Sequence, residues 1–204
     1  MIIDGKEVVT AGSDRAVVFQ APCLLPWLTA QQNVALAMKQ ARPGSRRSER
    51  TAEAQRYLDL VGVADCADQL PLELSLGTQQ CVSLARALSV EPRFLLLDEP
   101  FSMLDSLTRF DSQDTLLRVW EQNRKIVVMV THDVDEAVYL ADRLILMTDG
   151  PAATVGDILT VPFPRPRDRA AVLEHPSCHR RVIDFLENHA LQSKVAQLPK
   201  NLSI

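Results

Sequence analysis

Asp98 and Glu99 stand side by side directly after four apolar residues, Phe94-Leu95-Leu96-Leu97. An apolar run of this kind reads as a buried strand, and open parallel sheets put their ligands at the carboxyl ends of such strands. Two carboxylates there suit a metal-bound nucleotide: Asp98 to help hold Mg²⁺ and Glu99 to polarise the water that attacks a terminal phosphate. Alone, a strand ending in two acids also arises by chance. Four further features narrow the reading. Gln20 closes an earlier apolar run; Leu74-Ser75-Leu76-Gly77-Thr78 opens a helical pattern; Ser102-Met103-Leu104-Asp105 follows the acids; and Thr131-His132-Asp133 follows a second apolar run.

The elements that must position these residues are legible in the periodicity. Arg15 to Gln20 reads as a short strand, followed by a proline-bounded loop from Pro22 to Trp27. Apolar residues then recur at helical spacing from Thr29 to about Gln40 and from Ser48 to Leu60, with the loop Arg42 to Arg47 between them. Ser75 caps a helix running to Leu88, stopped by Pro92. Phe94 to Leu97 and Ile126 to Val130 are continuous apolar runs, the type expected of parallel strands covered on both faces. Ser106 to Gln122 reads as the crossover helix between them, and Val134 to Leu140 as a shorter one. Arg143 to Thr148 and Ala153 to Leu159 flank the turn Asp149-Gly150, and a last helix spans about Pro176 to Asn188.

Bulk properties exclude several classes. A chain of 204 residues, 47% hydrophobic and 24% charged, is sized for one domain. Net charge −4, without a block of basic residues, argues for no nucleic-acid partner. Cys23, Cys66, Cys81 and Cys178 are too scattered for a disulfide framework, which fits a reducing cytoplasm. No apolar stretch approaches the roughly 20 residues of a membrane span, so membrane association is expected through a partner. His175, Cys178 and His179 share a helical spacing that could bind zinc, with no fourth ligand in view.

The ordered series from Gln20 to His132 resembles the ATP-binding subunits of ABC transporters, over a stretch from about Ile3 to about Ala190. The resemblance implies an α/β fold of the P-loop NTPase type, a parallel sheet with a helical subdomain at 29–90, an α/β core at 91–160 and a carboxy-terminal extension at 161–204, all one domain. It implies ATP and Mg²⁺ as cofactors. Gln20 becomes the residue that touches metal and attacking water and senses the membrane partner; Asp98 and Gln20 become metal ligands; Glu99 the catalytic base. Ser75 and Gly77 become nucleotide contacts across a dimer, Asp105 a residue of the dimer seam, and His132 a contact to the γ-phosphate.

Three departures from the family pattern stand out. No G-x-x-x-x-G-K-[ST] sequence, the loop whose backbone N–H groups and lysine cradle the β- and γ-phosphates, occurs in the chain. Asp4-Gly5-Lys6 is no substitute, having no strand before it, so the chain is expected to begin about one βαβ unit late. By the resemblance the missing strand lies between Ile126–Val130 and Arg143–Thr148. Leu76 replaces the first glycine of the L-S-G-G-Q signature, where a side chain restricts the close approach. Cys81 stands where arginine is usual and reads as a small half-buried thiol.

Leu24-Leu25-Pro26-Trp27-Leu28-Thr29 resembles the nitrate, sulfonate and taurine importer branch, with Trp27 either an anchor for a membrane partner or a core residue. Val161 to Arg169, with its Pro-Arg-Pro-Arg stretch, resembles the nitrate, nitrite and cyanate group; by composition alone it is a solvated basic linker. Two functions are therefore in play. One is the ATPase subunit of a small-anion importer, working as a dimer against transmembrane permease subunits on the cytoplasmic membrane face, with a substrate-binding protein as an indirect partner. The other is a non-hydrolytic remnant that docks on a membrane partner and binds nucleotide poorly.

Overall fold

A computed structural model describes residues 2–3, 5–7, 9–10, 12, 14–150, 152–173 and 179–187. The chain divides into two compact units, Met1–Thr131 and His132–Ile204.

In the first unit, β1 (Ile2–Ile3) and β2 (Lys6–Glu7) pair antiparallel around Gly5, whose φ of 75° suits a residue without a Cβ. Gly5 thus does follow a short strand, contrary to expectation. A parallel sheet in the order β3-β4-β5 is built from β3 (Arg15–Val18), β4 (Phe94–Asp98) and β5 (Ile126–Val130). Its register aligns Val17 with Leu96 and Leu96 with Val128, and ends with Asp98 opposite Val130.

Between β3 and β4 the chain forms three helices: α1 (Ala30–Ala41), α2 (Arg47–Leu60) and α3 (Leu76–Ser89). Thr29 caps α1, accepting from the backbone N–H of Gln32 while the Gln32 side chain accepts from Thr29, so two otherwise orphaned donors are satisfied. Val34, Met38, Leu58, Val82 and Ala85 are buried where these helices meet. Each of the larger side chains stabilises by about 1.5–3 kcal/mol relative to exposure. The crossover α4 (Ser106–Asn123) is capped by Asp105 and buries Leu116 and Val119.

Strand alternation sorts the sheet into two unlike faces. Val18, Leu95 and Leu97 are buried, and α3 and α4 supply Leu84 and Leu116 to a small enclosed space against Val18 and Leu97. The opposite face carries Val17, Ile126, Val128 and Val130, all exposed, Val128 at 52%. The expectation of strands covered on both faces is therefore corrected: the continuous apolar runs are covered on one. Apolar composition reports the environment a strand suits, and this unit's own helices cover one side only.

The second unit contains α5 (Val134–Leu140), an antiparallel pair of β6 (Arg143–Met147) and β7 (Val155–Thr160), the short α6 (Arg169–Leu173) and a helix, α7, over 179–187. Gly156 is glycine for a spatial reason, because a Cβ there would meet the Phe185 ring of α7 at 2.4 Å. Arg181 also pairs with Asp157 at 3.0 Å, so α7 is held to β7 by both packing and charge. Among the described residues, no helix is long and apolar enough to cross a membrane.

Candidate functional site

The carboxyl end of β4 gathers the predicted residues of the first unit. Asp98 is exposed at the last position of the strand. Glu99 continues the ladder, its N–H donating to Val130 O at 2.9 Å, and then turns the chain with φ of 43°. That left-handed conformation is uncommon for a residue with a side chain and recurs where a site fixes a group at some cost in strain. It is held by Ser102, whose N–H and hydroxyl both donate to Glu99 O, at 3.3 and 3.0 Å.

Gln20, just past the end of β3, reaches the same point. Its Nε2 donates to Ser102 Oγ at 3.0 Å and lies 3.4 Å from Glu99 Oε2. Parallel pairing of β3 with β4 sets their ends side by side, so residues 79 positions apart meet without any local signal linking them.

The backbone around Gln20 is fixed by three side chains that periodicity alone assigns no role. Gln80 of α3, buried at 3% exposure, donates to Phe19 O at 3.0 Å. Arg86, one helical turn and a half further, donates to Cys23 O and Pro22 O at 2.7 and 3.0 Å. Burial lowers the Arg86 pKa, though its charge strengthens both bonds. Asn33 of α1, 1% exposed, accepts from Leu25 N at 2.8 Å and donates to Leu25 O and Leu28 O. The available signal was a polar residue at an otherwise apolar helical position. Trp27, in the loop that these residues brace, is 70% exposed, which removes the core reading for it.

Ser75 is the N-cap of α3, accepting from Thr78 N at 3.1 Å, as its position predicts. Gly77 is buried, and a Cβ there would lie 2.1 Å from Thr108 Cγ2, so its smallness serves the contact between α3 and the start of α4. Asp105 accepts from Thr108 N and Oγ1 at 3.1 and 2.6 Å, and these bonds hold its carboxyl below the usual range. Cys81 faces Ser112 and Leu116; burial pushes its thiol up, the Ser112 hydrogen bond opposing, which fits a packed thiol.

His132 opens the second unit and is exposed, immediately before Asp133, which caps α5 by accepting from Glu136 N at 3.0 Å. At the other end of α5, the reading of Val161 to Arg169 as a solvated basic linker is corrected. The Arg167 side chain is 0% exposed and donates to Tyr139 O and Ala141 O, both at 2.8 Å, while meeting Asp142 at 3.1 Å. Arg165 donates to Leu140 O and to Asp142 at 2.9 Å, and the Arg169 guanidinium lies 3.9 Å from the Tyr139 ring centre. The last carbonyls of a helix lack partners within it and carry partial negative charge, so a cation is the natural cap. His179 pairs with Asp135 at 3.0 Å, whereas His175 and Cys178, the other residues of the suggested zinc spacing, lie outside the described residues. Among the described residues, no group of three or more His, Cys, Asp or Glu could hold a metal.

The ABC transporter family matches over residues 2–102. The nitrate import ATP-binding protein NrtD of Synechococcus elongatus is 48% identical over 187 residues, covering 90% of this chain and 68% of that protein. The bicarbonate transport ATP-binding protein CmpD of Synechocystis sp. is 45% identical over 197 residues, 95% of this chain and 70% of the relative. Among solved structures, a dimeric ATP-binding cassette, MJ0796, bound to ADP and Pi superposes with a TM-score of 0.63 at 34% identity, covering 74% of this chain and 64% of that one. The chain thus spans about two thirds of the length of what it matches, and with the α/β parallel sheet and the 48% identity to NrtD, it belongs to the ATP-binding subunits of the ABC transporter family.

Proposed function

We propose that this protein is the ATP-binding subunit of an ABC importer for a small inorganic anion of the nitrate or bicarbonate kind, working at the cytoplasmic face of the membrane. The reading is supported by likeness to the nitrate and bicarbonate relatives and by one observation above all: Gln20 and Glu99 converge to 3.4 Å beside Asp98.

The residues present suit a hard divalent cation. Asp98 offers an exposed carboxylate and Gln20 a carbonyl oxygen, and Mg²⁺ takes oxygen ligands, usually with several waters. Bound there with ATP, the metal supplies charge neutralisation for phosphoryl transfer. Glu99 Oε2, in this reading, orients the attacking water and accepts its proton. Gln20 fixes the water from the other side and links the site to the braced loop that ends at Trp27. That exposed indole is the surface offered to a permease subunit, and a large aromatic is a common anchor at such interfaces. Ser75 and the start of α3, together with Asp105, face a second ATPase subunit, and His132 senses the terminal phosphate.

A second reading, a subunit that does not hydrolyse ATP, rests on Leu76 at the place of the signature's first glycine, where a side chain restricts the close approach to nucleotide. Turnover in a form that also carries a phosphate loop separates the two. The phosphate cradle contributes backbone donors that Asp98 and Gln20 cannot replace, so the 204-residue chain is expected to bind more weakly than micromolar. In a form that also carries a phosphate loop, Glu99→Gln is expected to lower turnover by at least about 10²-fold, with ATP binding retained. Unchanged turnover in that variant removes Glu99 from the role of base.

A further inference from the structure

We infer that Ser102 is a positioning residue that fixes which end of the Gln20 carboxamide faces the metal side of the site, an inference resting on the metal role proposed for Gln20. A serine hydroxyl has one proton and two acceptor positions. Here the proton is committed: Ser102 Oγ donates to Glu99 O at 3.0 Å, in the turn that Glu99 opens at φ 43°. The oxygen can then only accept. The Gln20 group that meets it at 3.0 Å must be the NH₂ end, and the next neighbour, Glu99 Oε2 at 3.4 Å, is a carboxylate that also accepts. Both contacts select nitrogen on this side and turn Oε1 away.

The consequence is chemical. An uncharged amide nitrogen carries no lone pair available to a hard cation, whereas the amide oxygen is a good ligand. A free glutamine presents either end, because its terminal torsion is broad and roughly two-fold. With the hydroxyl in place, only the ligating orientation satisfies both acceptors. Ser102 is half-buried and touches neither metal nor nucleotide in this scheme; it acts through Gln20, and through the Glu99 carbonyl it also holds the turn that aims the Glu99 side chain.

The test uses the full metal-free chain and ¹⁵N–¹H spectra of side-chain amides, with the Gln20 NH₂ pair identified by its loss in Gln20→Ala. The Gln20 protons are expected to exchange with water at least about fivefold more slowly in the parent than in Ser102→Ala, as one net hydrogen bond of about 1 kcal/mol implies. Ser102→Thr, which keeps the hydroxyl, restores slow exchange. Equal exchange in the parent and in Ser102→Ala, with both proteins showing the same thermal midpoint, overturns the inference. Mn²⁺ alone provides the second arm: it is expected to broaden the Gln20 resonances in the parent and more weakly in Ser102→Ala. Failure of Mn²⁺ to broaden Gln20 in the parent overturns the metal role of Gln20, and is distinguishable because the exchange difference between parent and Ser102→Ala is read without metal.

Discussion

The side-chain amide of Gln80 donates to the main-chain carbonyl of Phe19, tying the interior of α3 to the residue immediately before Gln20 across 61 positions of sequence. With Arg86 holding Pro22 and Cys23 from the same helix, the segment that carries Gln20 is tied to α3 at three carbonyls. A displacement of the loop bearing Trp27 must break these bonds or carry with it the helix that Ser75 caps. This is a mechanical link between the proposed partner surface and the proposed nucleotide contacts.

Gln80→Leu preserves much of the volume and removes the donor, leaving Phe19 O without this partner. The expected loss is about 0.5–1.5 kcal/mol of stability, the net worth of one hydrogen bond, because Phe19 is half exposed and water can reach its carbonyl. Urea denaturation measures it; a shift within error of zero shows that the carbonyl finds another donor.

Arg167→Lys keeps the charge and loses the fork. Lysine places three donors at one point and cannot span Tyr139 O, Ala141 O and Asp142 as the planar guanidinium does. A destabilisation of at least about 2 kcal/mol is expected, of the size seen when hydrogen bonds to charged groups are lost. Amide exchange of α5 should quicken in the variant, whereas the same change at the exposed Arg47 should leave it unaltered. Equal exchange in the two variants would contradict the capping role.

Cys81 and Cys23 should differ sharply toward alkylating agents. The thiolate is the reactive form, and burial raises the Cys81 pKa while also shielding the sulfur. Cys23 is exposed. Mass-resolved labelling with iodoacetamide near neutral pH should modify Cys23 first, and raising the pH should narrow the gap as the Cys81 thiolate fraction grows. Cys81 reacting as fast as Cys23 would place it at an accessible surface.

The exposed sheet face should make the isolated 204-residue chain self-associate. Val17, Ile126, Val128 and Val130 align on one side of the sheet, and β5 has no further strand paired to it among the described residues. Apolar side chains beside unpaired backbone groups are the combination that promotes edge-to-edge association. Light scattering is expected to show larger species, reduced by Val128→Lys, which puts a charge in the middle of the edge strand β5. A monodisperse parent protein would show that this face is not adhesive.

The sequence determined the elements and the chemistry of the sites that are local. Thr29, Ser75, Asp105 and Asp133 cap the helices that follow them because a cap needs only a side-chain oxygen three residues from an orphaned N–H. Asp98 and Glu99 announced themselves because a strand and the polar residues at its end are contiguous. Tertiary structure decided what depends on neighbours distant in sequence. It put Gln80 against Phe19, gave Ser102 its place between Gln20 and Glu99, exposed Trp27, and left one face of an apolar sheet bare. The Pro-Arg-Pro-Arg stretch shows the reason most plainly. By composition it belongs in water, and nothing within it reveals three helix carbonyls and a carboxylate some 25 residues upstream. Burial of a charged side chain is decided by the acceptors that surround it, and only the folded chain brings those together.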